Sequence, residues 1–188
     1  MSSNDIVVVD DFLPEDIAIA FSRELFNNTD WIPEWNIEHT DGWLWHASLG
    51  NDREDQSVDL KNLRPLEQIL WKQVKESIFA RTGREHKPDR FYTNSHTYGQ
   101  EGYIHTDDGD VTFLYYPCRD WPIDWEGGTS FYNEDVTDCI KYVSYKFNRA
   151  IFFKASIPHR AMPVSRSCYN LRASVVFKTS INQGASIE

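Results

Sequence analysis

The sequence lacks the features that would place the chain in a membrane or on nucleic acid. No apolar run approaches the ~20 residues that span a bilayer, and residues 1–11 carry acids but no basic residue, unlike the start of a signal peptide. Only 19 Lys and Arg stand against 29 Asp and Glu, a formal charge of -10, so the basic clusters that bind a phosphate backbone are missing. We therefore expect a soluble, cytoplasmic protein without membrane or nucleic-acid partners.

Cysteine is scarce as well. The three cysteines, Cys118, Cys139 and Cys168, are odd in number and share no metal-type spacing, which argues against a disulfide framework or a zinc ribbon. Reduced thiols suit a reducing compartment. The sequence also has no internal repeat and no low-complexity linker, so we expect one domain over residues 1–188.

Hydrophobic spacing in the first half of the chain predicts a mixture of strands and helices. Residues 6–9 form a short apolar run typical of a strand, and residues 14–26 carry apolar side chains at helical spacing. Residues 42–49 alternate as a strand does. The clearest predicted helix covers residues 63–80, where apolar side chains recur every three or four positions and Gly83 follows as a stop signal.

Beyond residue 90 the hydrophobic pattern changes to the alternation of strands, and turn residues recur at short intervals. These runs predict short strands at Phe91–Tyr98, Val111–Tyr116, Thr129–Tyr132, Tyr142–Tyr145, Ala150–Phe153 and Asn170–Lys178. Short strands after a helical half predict an α+β, mostly β fold, with an antiparallel barrel or sandwich core over residues 90–178 buttressed by residues 1–89. Any chemistry is expected to line the strand interior.

A His-x-Asp pair and a distant histidine are the candidate metal ligands. His105 and Asp107 share a face on an extended backbone, although the pair alone also fits a solvated turn before Gly109. His159 follows a predicted strand and can return to the pair if the strands close into a barrel. Two His and one carboxylate leave coordination positions open, which suits a non-haem iron(II) oxygenase or, with the same ligands, a zinc hydrolase. Asp108 is a second candidate for the carboxylate ligand, but Asp107 is favoured because it shares a strand face with His105.

The last predicted strand carries a candidate anion site. Its apolar side chains occupy the odd positions, so Arg172 and Ser174 share the opposite face, inside the barrel. An unpaired buried guanidinium costs several kcal/mol. Arg172 is therefore expected to meet a barrel carboxylate, to reach solvent at the strand end, or to bind the far carboxylate of a dicarboxylate ligand with help from Ser174.

The order and spacing of His105-Thr106-Asp107, His159, Arg172 and Ser174 resemble those of the 2-oxoglutarate and Fe(II)-dependent oxygenases. Within that superfamily, roughly residues 90–178 are most similar to the prolyl hydroxylases. The motifs that carry this likeness are Tyr98-Gly99, Gly102-Tyr103, Phe113-Leu114-Tyr115-Tyr116, Arg119-Asp120-Trp121 and Glu126-Gly127-Gly128-Thr129. The loop from Tyr98 to Gly102 is shorter than in prolyl hydroxylases, where it borders the substrate.

The resemblance implies a double-stranded β-helix, or jelly roll, and a set of cofactors. It implies Fe(II) held by His105, Asp107 and His159, with 2-oxoglutarate and O2 as cosubstrates and ascorbate as a candidate reductant. The residues implied for 2-oxoglutarate are Arg172, Ser174, Tyr116 and Tyr98. From periodicity alone, Tyr116 fits a barrel-core aromatic equally well.

The implied reaction is decarboxylation of 2-oxoglutarate to succinate and CO2, coupled to hydroxylation of a prolyl residue in a peptide or protein. A free amino acid or another small metabolite is the alternative substrate, and a non-catalytic, cupin-like binding module is the alternative of another class. Asn94, His96 and Tyr103 are expected beside the substrate, although His96 also fits a buried wall residue. The Trp-rich segment from Trp31 to Trp45, with Trp121 and Trp125, either walls a substrate groove or for the most part packs between helices and sheet. The sequence makes no prediction of oligomeric state.

Overall fold

A computed structural model describes residues 5–36, 43–51 and 57–182 of the chain. The helices in this part of the chain are α1 (Glu15–Asn27), α2 (Pro65–Thr82) and a short 3-10 helix (Ile123–Trp125). The strands are β1 (Ile6–Val9), β2 (Ile32–Asn36), β3 (Trp43–Asn51), β4 (His86–His96), β5 (Val111–Tyr116), β6 (Thr129–Tyr132), β7 (Cys139–Val143), β8 (Arg149–Lys154), β9 (His159–Ala161) and β10 (Arg172–Ile181).

The strands form two antiparallel sheets. The larger sheet has the order β1-β8-β5-β10-β4-β3-β2, and the smaller one has the order β7-β6-β9. From β5 onward the chain passes repeatedly between the two sheets, from β5 to β6, from β7 to β8, from β8 to β9 and from β9 to β10, as it does in a jelly roll. This architecture confirms the predicted α+β, mostly β double-stranded β-helix with helical support.

Several elements begin or end where the sequence places them. β5 and β6 have the predicted bounds, and α2 ends at Gly83, whose φ of 66° is the left-handed conformation that glycine adopts without strain. The sequence does not predict β9, because three residues are too few to give a periodic signal. It does not predict β2 either, because proline is unusual inside a strand and Pro33 lies within β2.

The other predicted strands have somewhat different bounds in the structure, and two of the differences have a clear cause. β4 ends at His96 rather than at Tyr98, because the Gln100 amide donates to the carbonyl of Thr97 at 3.0 Å and closes a turn. β7 ends at Val143, short of the predicted Tyr145. The Tyr145 side chain is buried instead, and its hydroxyl donates to a carbonyl at the start of β10 at 2.7 Å.

One face of the larger sheet packs against the helices. The rings of Phe91 and Phe177, which are direct neighbours on β4 and β10, stack with centres 3.9 Å apart. Trp71 of α2 lies 5.1 Å from Phe177. Ala173 and Val175, at the other odd positions of β10, are fully buried in the same core. The even-numbered side chains of β10 must therefore point to the opposite face.

Neither α1 nor α2 is long and apolar enough to cross a membrane, and no other helix among the described residues is. The three cysteines are free thiols, with Cys118 and Cys168 buried and Cys139 exposed.

Phe177→Ala is expected to lower the free energy of unfolding by about 3–5 kcal/mol, because it removes a fully buried ring that contacts Phe91 and Trp71 and leaves a cavity. Urea denaturation measures the loss. The matched control is Phe79→Ala on α2, whose residue is 48% exposed and whose loss should be about 0.5 kcal/mol. Equal losses in the two variants would contradict this description of the core.

Candidate metal and cosubstrate site

The inner face of the larger sheet lines a cavity of about 480 Å³. Alternate residues of neighbouring strands form its wall, because side chains two apart share a face. They include Arg172, Ser174 and Lys178 of β10 and Arg90, Asn94 and His96 of β4. Tyr103, in the connection between β4 and β5, also lines the cavity. Each of the three residues expected beside the substrate is thus at this wall.

The backbone holds two histidines together at the edge of the cavity. His105 and His159 form an antiparallel bridge in which each amide donates to the carbonyl of the other, at 3.0 and 2.9 Å. The ring centres are 4.4 Å apart. Since His159 opens β9 and His105 precedes β5, the bridge joins β9 of the smaller sheet to the connection between β4 and β5.

Asp107 completes a cluster with these histidines. The ligand atoms of His105, Asp107 and His159 all lie within 4.8 Å of one another. Asp107 Oδ2 accepts a hydrogen bond from the Thr112 hydroxyl at 2.7 Å. Asp107 Oδ1 is buried, lies 3.0 Å from an ammonium and accepts no well-oriented hydrogen bond. Asp108 lies outside the cluster and is 42% exposed.

Hydrogen bonds to the backbone fix the orientation of both imidazoles. Nδ1 of His105 lies 3.0 Å from the Tyr103 carbonyl, and Nδ1 of His159 lies 2.9 Å from the Ile157 carbonyl. A carbonyl only accepts, so Nδ1 carries the hydrogen and Nε2 of the neutral ring keeps its lone pair. The two Nε2 atoms face Asp107 at 3.7 and 3.5 Å. Two imidazole nitrogens and a carboxylate oxygen without a hydrogen bond fit a divalent transition-metal ion.

The protonation states also suit a metal site. Burial lowers the pKa of His159 to about 4, although Asp107 opposes that shift. Burial alone would raise the pKa of Asp107, but His159, Lys178 and the Thr112 hydrogen bond outweigh it and hold the pKa below its ordinary value. At neutral pH the cluster therefore contains a neutral His159 beside an ionised Asp107.

At the far end of the cavity, Arg172 is a buried cation with neutral partners. It exposes 1% of its surface. Its Nε donates to the Gly127 carbonyl at 2.7 Å, Nη1 donates to the Ser174 hydroxyl at 3.2 Å, and Nη2 lies 3.5 Å from the Gly128 carbonyl. No carboxylate of the described residues forms a salt bridge with it. The barrel-carboxylate and solvent alternatives for Arg172 do not apply within this part of the chain, and a bound anion fits the site.

The two glycines can present their carbonyls because the chain turns sharply before β6. Gly127 has a φ of +73°, and Glu126 before it has a φ of 58°. A Cβ at Gly128 would lie 2.3 Å from the Val143 carbonyl oxygen, so a side chain cannot fit. In the sequence, Glu126-Gly127-Gly128 is only one of the motifs that carry the family resemblance, whereas in the structure the two glycine carbonyls hold Arg172 directly.

The structure does not bring the two predicted cosubstrate tyrosines to the cavity wall. Tyr116 is fully buried, its hydroxyl is bonded to the Thr129 hydroxyl at 2.7 Å, and its ring lies behind Arg172, 5.5 Å from the guanidinium carbon. Thr129 lines the cavity in its place. Tyr98 lies beyond the end of β4 in a turn and is 59% exposed. β4 ends at His96, before Tyr98, whereas Tyr116 lies on the same face of β5 as the cavity-lining Thr112 and Leu114 but is covered by Thr129 and Arg172. The cosubstrate role of both tyrosines stays a prediction.

Two cations that line the cavity, Lys178 and Arg90, are not predicted from the sequence. Lys178 shares the parity of Arg172 and Ser174 on β10, and Arg90 shares the parity of Asn94 on β4. The alternation that identified Arg172 was therefore sufficient to find both.

The tryptophans whose side chains are described do not line the cavity. Trp31 stacks on Phe26 of α1 with ring centres 6.2 Å apart, and Trp121 and Trp125 meet edge to face at 5.1 Å. For these residues the packing interpretation holds. The side chains of Trp35 and Trp43 lie outside the described part of the structure.

Residues 87–178 match the model of the 2OG-Fe(II) oxygenase superfamily. No curated protein matches the chain significantly. The fold is similar to a prolyl hydroxylase from Trichoplax adhaerens in complex with a hypoxia inducible factor oxygen degradation domain peptide fragment, with a TM-score of 0.67, 17% identity, and coverage of 95% of this chain and 84% of that one.

Two further solved structures are similar to the chain. One is an oxidoreductase of the 2OG-Fe(II) oxygenase family from Burkholderia pseudomallei, with a TM-score of 0.71, 16% identity, and coverage of 97% of this chain and 88% of that one. The other is HygX from Streptomyces hygroscopicus with nickel, 2-oxoglutarate and hygromycin B bound, with a TM-score of 0.68, 9% identity, and coverage of 95% and 84%. At these identities the structural similarity establishes the fold alone.

The buried His96 generates a pH prediction. Burial, followed by the charge of Arg172, lowers the pKa of His96 to about 3. The unfolded chain takes up this proton near pH 6.5 and the folded chain does not, so stability is present above that pH and is lost as the pH falls. From pH 7 to pH 5 the loss should be about 2 kcal/mol.

The measurement compares urea unfolding of the wild type and His96→Gln at both pH values. The glutamine side chain can still donate to the Met162 carbonyl, which lies 3.1 Å from His96 Nε2, but it does not titrate. The variant should lose about 2 kcal/mol less than the wild type over this interval. The same loss in both proteins would contradict the shifted pKa.

Proposed function

We propose that this chain, whose residues 87–178 belong to the 2OG-Fe(II) oxygenase superfamily, is a 2-oxoglutarate- and Fe(II)-dependent dioxygenase. It couples decarboxylation of 2-oxoglutarate to succinate and CO2 with hydroxylation of a substrate. The observation that carries the proposal is one cavity that contains both a His-Asp-His cluster and a buried arginine without a carboxylate partner among the described residues.

His105, Asp107 and His159 are the proposed Fe(II) ligands. Bound Fe(II) supplies the redox chemistry that activates O2 against the keto acid, with ascorbate as the proposed reductant for iron. The chain supplies the geometry. The carbonyls of Tyr103 and Ile157 hold the hydrogens on Nδ1, so the lone pair of each Nε2 would be available to hold the ion.

Arg172 is the proposed partner for the far carboxylate of 2-oxoglutarate. A guanidinium has five N–H donors, and its three contacts with Gly127, Gly128 and Ser174 leave donors for an incoming carboxylate. Those contacts also fix the plane of the guanidinium before the ligand arrives. A preorganised cation shielded from solvent binds an anion more strongly than an exposed one does.

The substrate proposed from the sequence resemblance is a prolyl residue in a peptide or protein. The Trichoplax adhaerens relative is in complex with a peptide, which supports that choice by analogy. The second candidate is a free amino acid or another small metabolite. The cavity supports it, since about 480 Å³ falls within the size range of small-molecule sites. We place the reaction in the cytoplasm, as the free thiols suggest.

A zinc hydrolase and a cupin-like binding module would use the same metal ligands. Neither requires a second, buried cation such as Arg172 in the same cavity. The metal discriminates between these functions, because anaerobic Fe(II) protein should develop a visible charge-transfer band when 2-oxoglutarate is added and Zn(II) protein should not.

Purified protein with Fe(II), ascorbate and 2-oxoglutarate is expected to release succinate, and His159→Ala should abolish the release because it removes a ligand from the cluster. The control is His86→Gln, which alters a buried histidine that does not line the cavity. Succinate formation that survives in His159→Ala would refute the ligand assignment. Absence of both turnover and 2-oxoglutarate binding in the wild type would refute the function.

Arg172→Met is expected to weaken 2-oxoglutarate binding by about 100-fold, because it removes a charge-assisted pair worth about 3 kcal/mol. Anaerobic titration of the charge-transfer band gives the dissociation constant. Arg172→Lys keeps the positive charge but lacks the planar guanidinium, so its dissociation constant for 2-oxoglutarate should lie between those of the wild type and Arg172→Met. Arg119→Met removes an exposed arginine and serves as the control. Wild-type affinity in Arg172→Met would show that the far carboxylate binds elsewhere.

A further inference from the structure

We propose that Lys178 and Arg90 form a second anion subsite, the outer subsite, which binds the carboxylate of a free carboxylic-acid substrate such as an amino acid. This inference rests on the proposed function, because it names the substrate class for that reaction. Lys178 on β10 and Arg90 on β4 are direct cross-strand partners. Both line the cavity, and they expose only 7% and 5% of their surfaces.

The outer subsite lies at the metal end of the cavity. Lys178 Nζ is 3.0 Å from Asp107 Oδ1. Thr112, the partner of Lys178 on β5, donates its hydroxyl hydrogen to the other oxygen of Asp107. Arg172 lies further along the same strand face, where Gly127, Gly128 and Ser174 hold its guanidinium. Lys178 has a separate set of partners, the carboxylates of Asp107 and Asp108.

A metal ion at the cluster changes the charge balance around Lys178. Asp107 then becomes a ligand of the ion, so the ammonium shares that carboxylate with a second, divalent cation. The remaining described carboxylate at this end is Asp108, which contacts Lys178 and also lies 3.5 Å from Arg90 Nη1. Like charges crowded in a largely buried site are stabilised by a further anion. This step depends on Lys178 and the ion, whatever other contacts Arg90 makes.

The exposure of the surrounding residues favours the substrate over 2-oxoglutarate as the source of that anion. Asp108 and Tyr103 are each 42% exposed, and the His105 side chain is 34% exposed. At the other end of the cavity, Arg172 exposes only 1% of its surface to solvent. A substrate that approaches from solvent therefore meets the outer subsite, whereas the cosubstrate reaches past it to Arg172.

Arg90 is held in a position that suits a carboxylate. Its guanidinium carbon lies 5.2 Å from the centre of the Tyr92 ring, which fixes the plane of the group. The guanidinium of Arg90, held in one plane, and the neighbouring ammonium of Lys178 together suit a free carboxylate. A residue within a peptide presents a neutral amide at that position, so the outer subsite favours a free acid over a prolyl peptide.

The first experiment needs no variant. Succinate release by the Fe(II) protein is measured with the common free L-amino acids, with their primary amides and with a blocked prolyl peptide. At least one acid should stimulate release above the substrate-free rate, and its amide should have a kcat/KM lower by about 10-fold or more. The proposal is overturned if acid and amide are equally effective, or if no acid stimulates release.

The second experiment uses Lys178→Met, with Lys178→Arg as the rescue variant. Lys178→Met should raise the KM of the stimulating acid by about 10-fold or more relative to the KM of its amide, and the arginine should restore much of that difference. Because Lys178 also contacts Asp107, any effect on the metal or on the dissociation constant of 2-oxoglutarate, measured from the anaerobic charge-transfer band, should be common to acid and amide and leave their ratio unchanged. Lys87→Met is the control, since this lysine on β4 is 55% exposed.

Other outcomes identify which proposal fails. If Lys178→Met weakens 2-oxoglutarate binding and leaves the KM of the acid unchanged, Lys178 serves the cosubstrate and the outer subsite is wrong. If Lys178→Met does not fold, Arg90→Gln provides the same comparison. A wild-type protein that binds 2-oxoglutarate and releases succinate without preferring acids refutes only this inference. A protein that does neither refutes the proposed function as well.

Discussion

The pair of backbone hydrogen bonds between His105 and His159 is the constraint on which the site depends. It places two imidazoles from distant parts of the chain 4.4 Å apart. A second backbone bond, from the Asp107 amide to the Ala155 carbonyl at 2.8 Å, fixes the carboxylate residue against the chain that follows β8. The candidate metal ligands are thus positioned by main-chain contacts of the connection between β4 and β5 with β9 and with the chain after β8, and the side chains need only to complete the geometry.

The two faces of β10 have different roles. Its odd positions pack with α2 and β4, through the stack of Phe177 on Phe91. Its even positions form the cavity wall from Arg172 to Lys178. A shift of one residue in the pairing of β10 would place these cations in the core, so the hydrophobic contacts that stabilise the fold also hold the charged groups in the site. The stability of the sheet and the arrangement of the cavity are consequences of the same register.

Sequence periodicity predicts what depends on side-chain parity, and it fails where the backbone leaves regular geometry. It places Arg172 and Ser174 on one face and brings His105 and Asp107 together. It does not predict that Gly127 and Gly128 turn their carbonyls towards Arg172, because that depends on positive φ angles before β6. Tyr116 shows a different limit. Parity assigns Tyr116 to a face of β5. Its burial depends instead on neighbouring strands, because its hydroxyl is bonded to Thr129 of β6 and its ring packs behind the guanidinium of Arg172 on β10.

The neutral surroundings of Arg172 have a consequence for the folded state itself. Among the described residues the partners of this buried cation are two carbonyls and a hydroxyl, none of which compensates its charge, and a buried charge of this kind makes folding less favourable until an anion binds. Any dicarboxylate that binds there and not to the unfolded chain raises the free energy of unfolding with the logarithm of its concentration. On the proposed function, the fraction of this protein that is folded in a cell, and so its lifetime against proteases, follows the supply of its own cosubstrate.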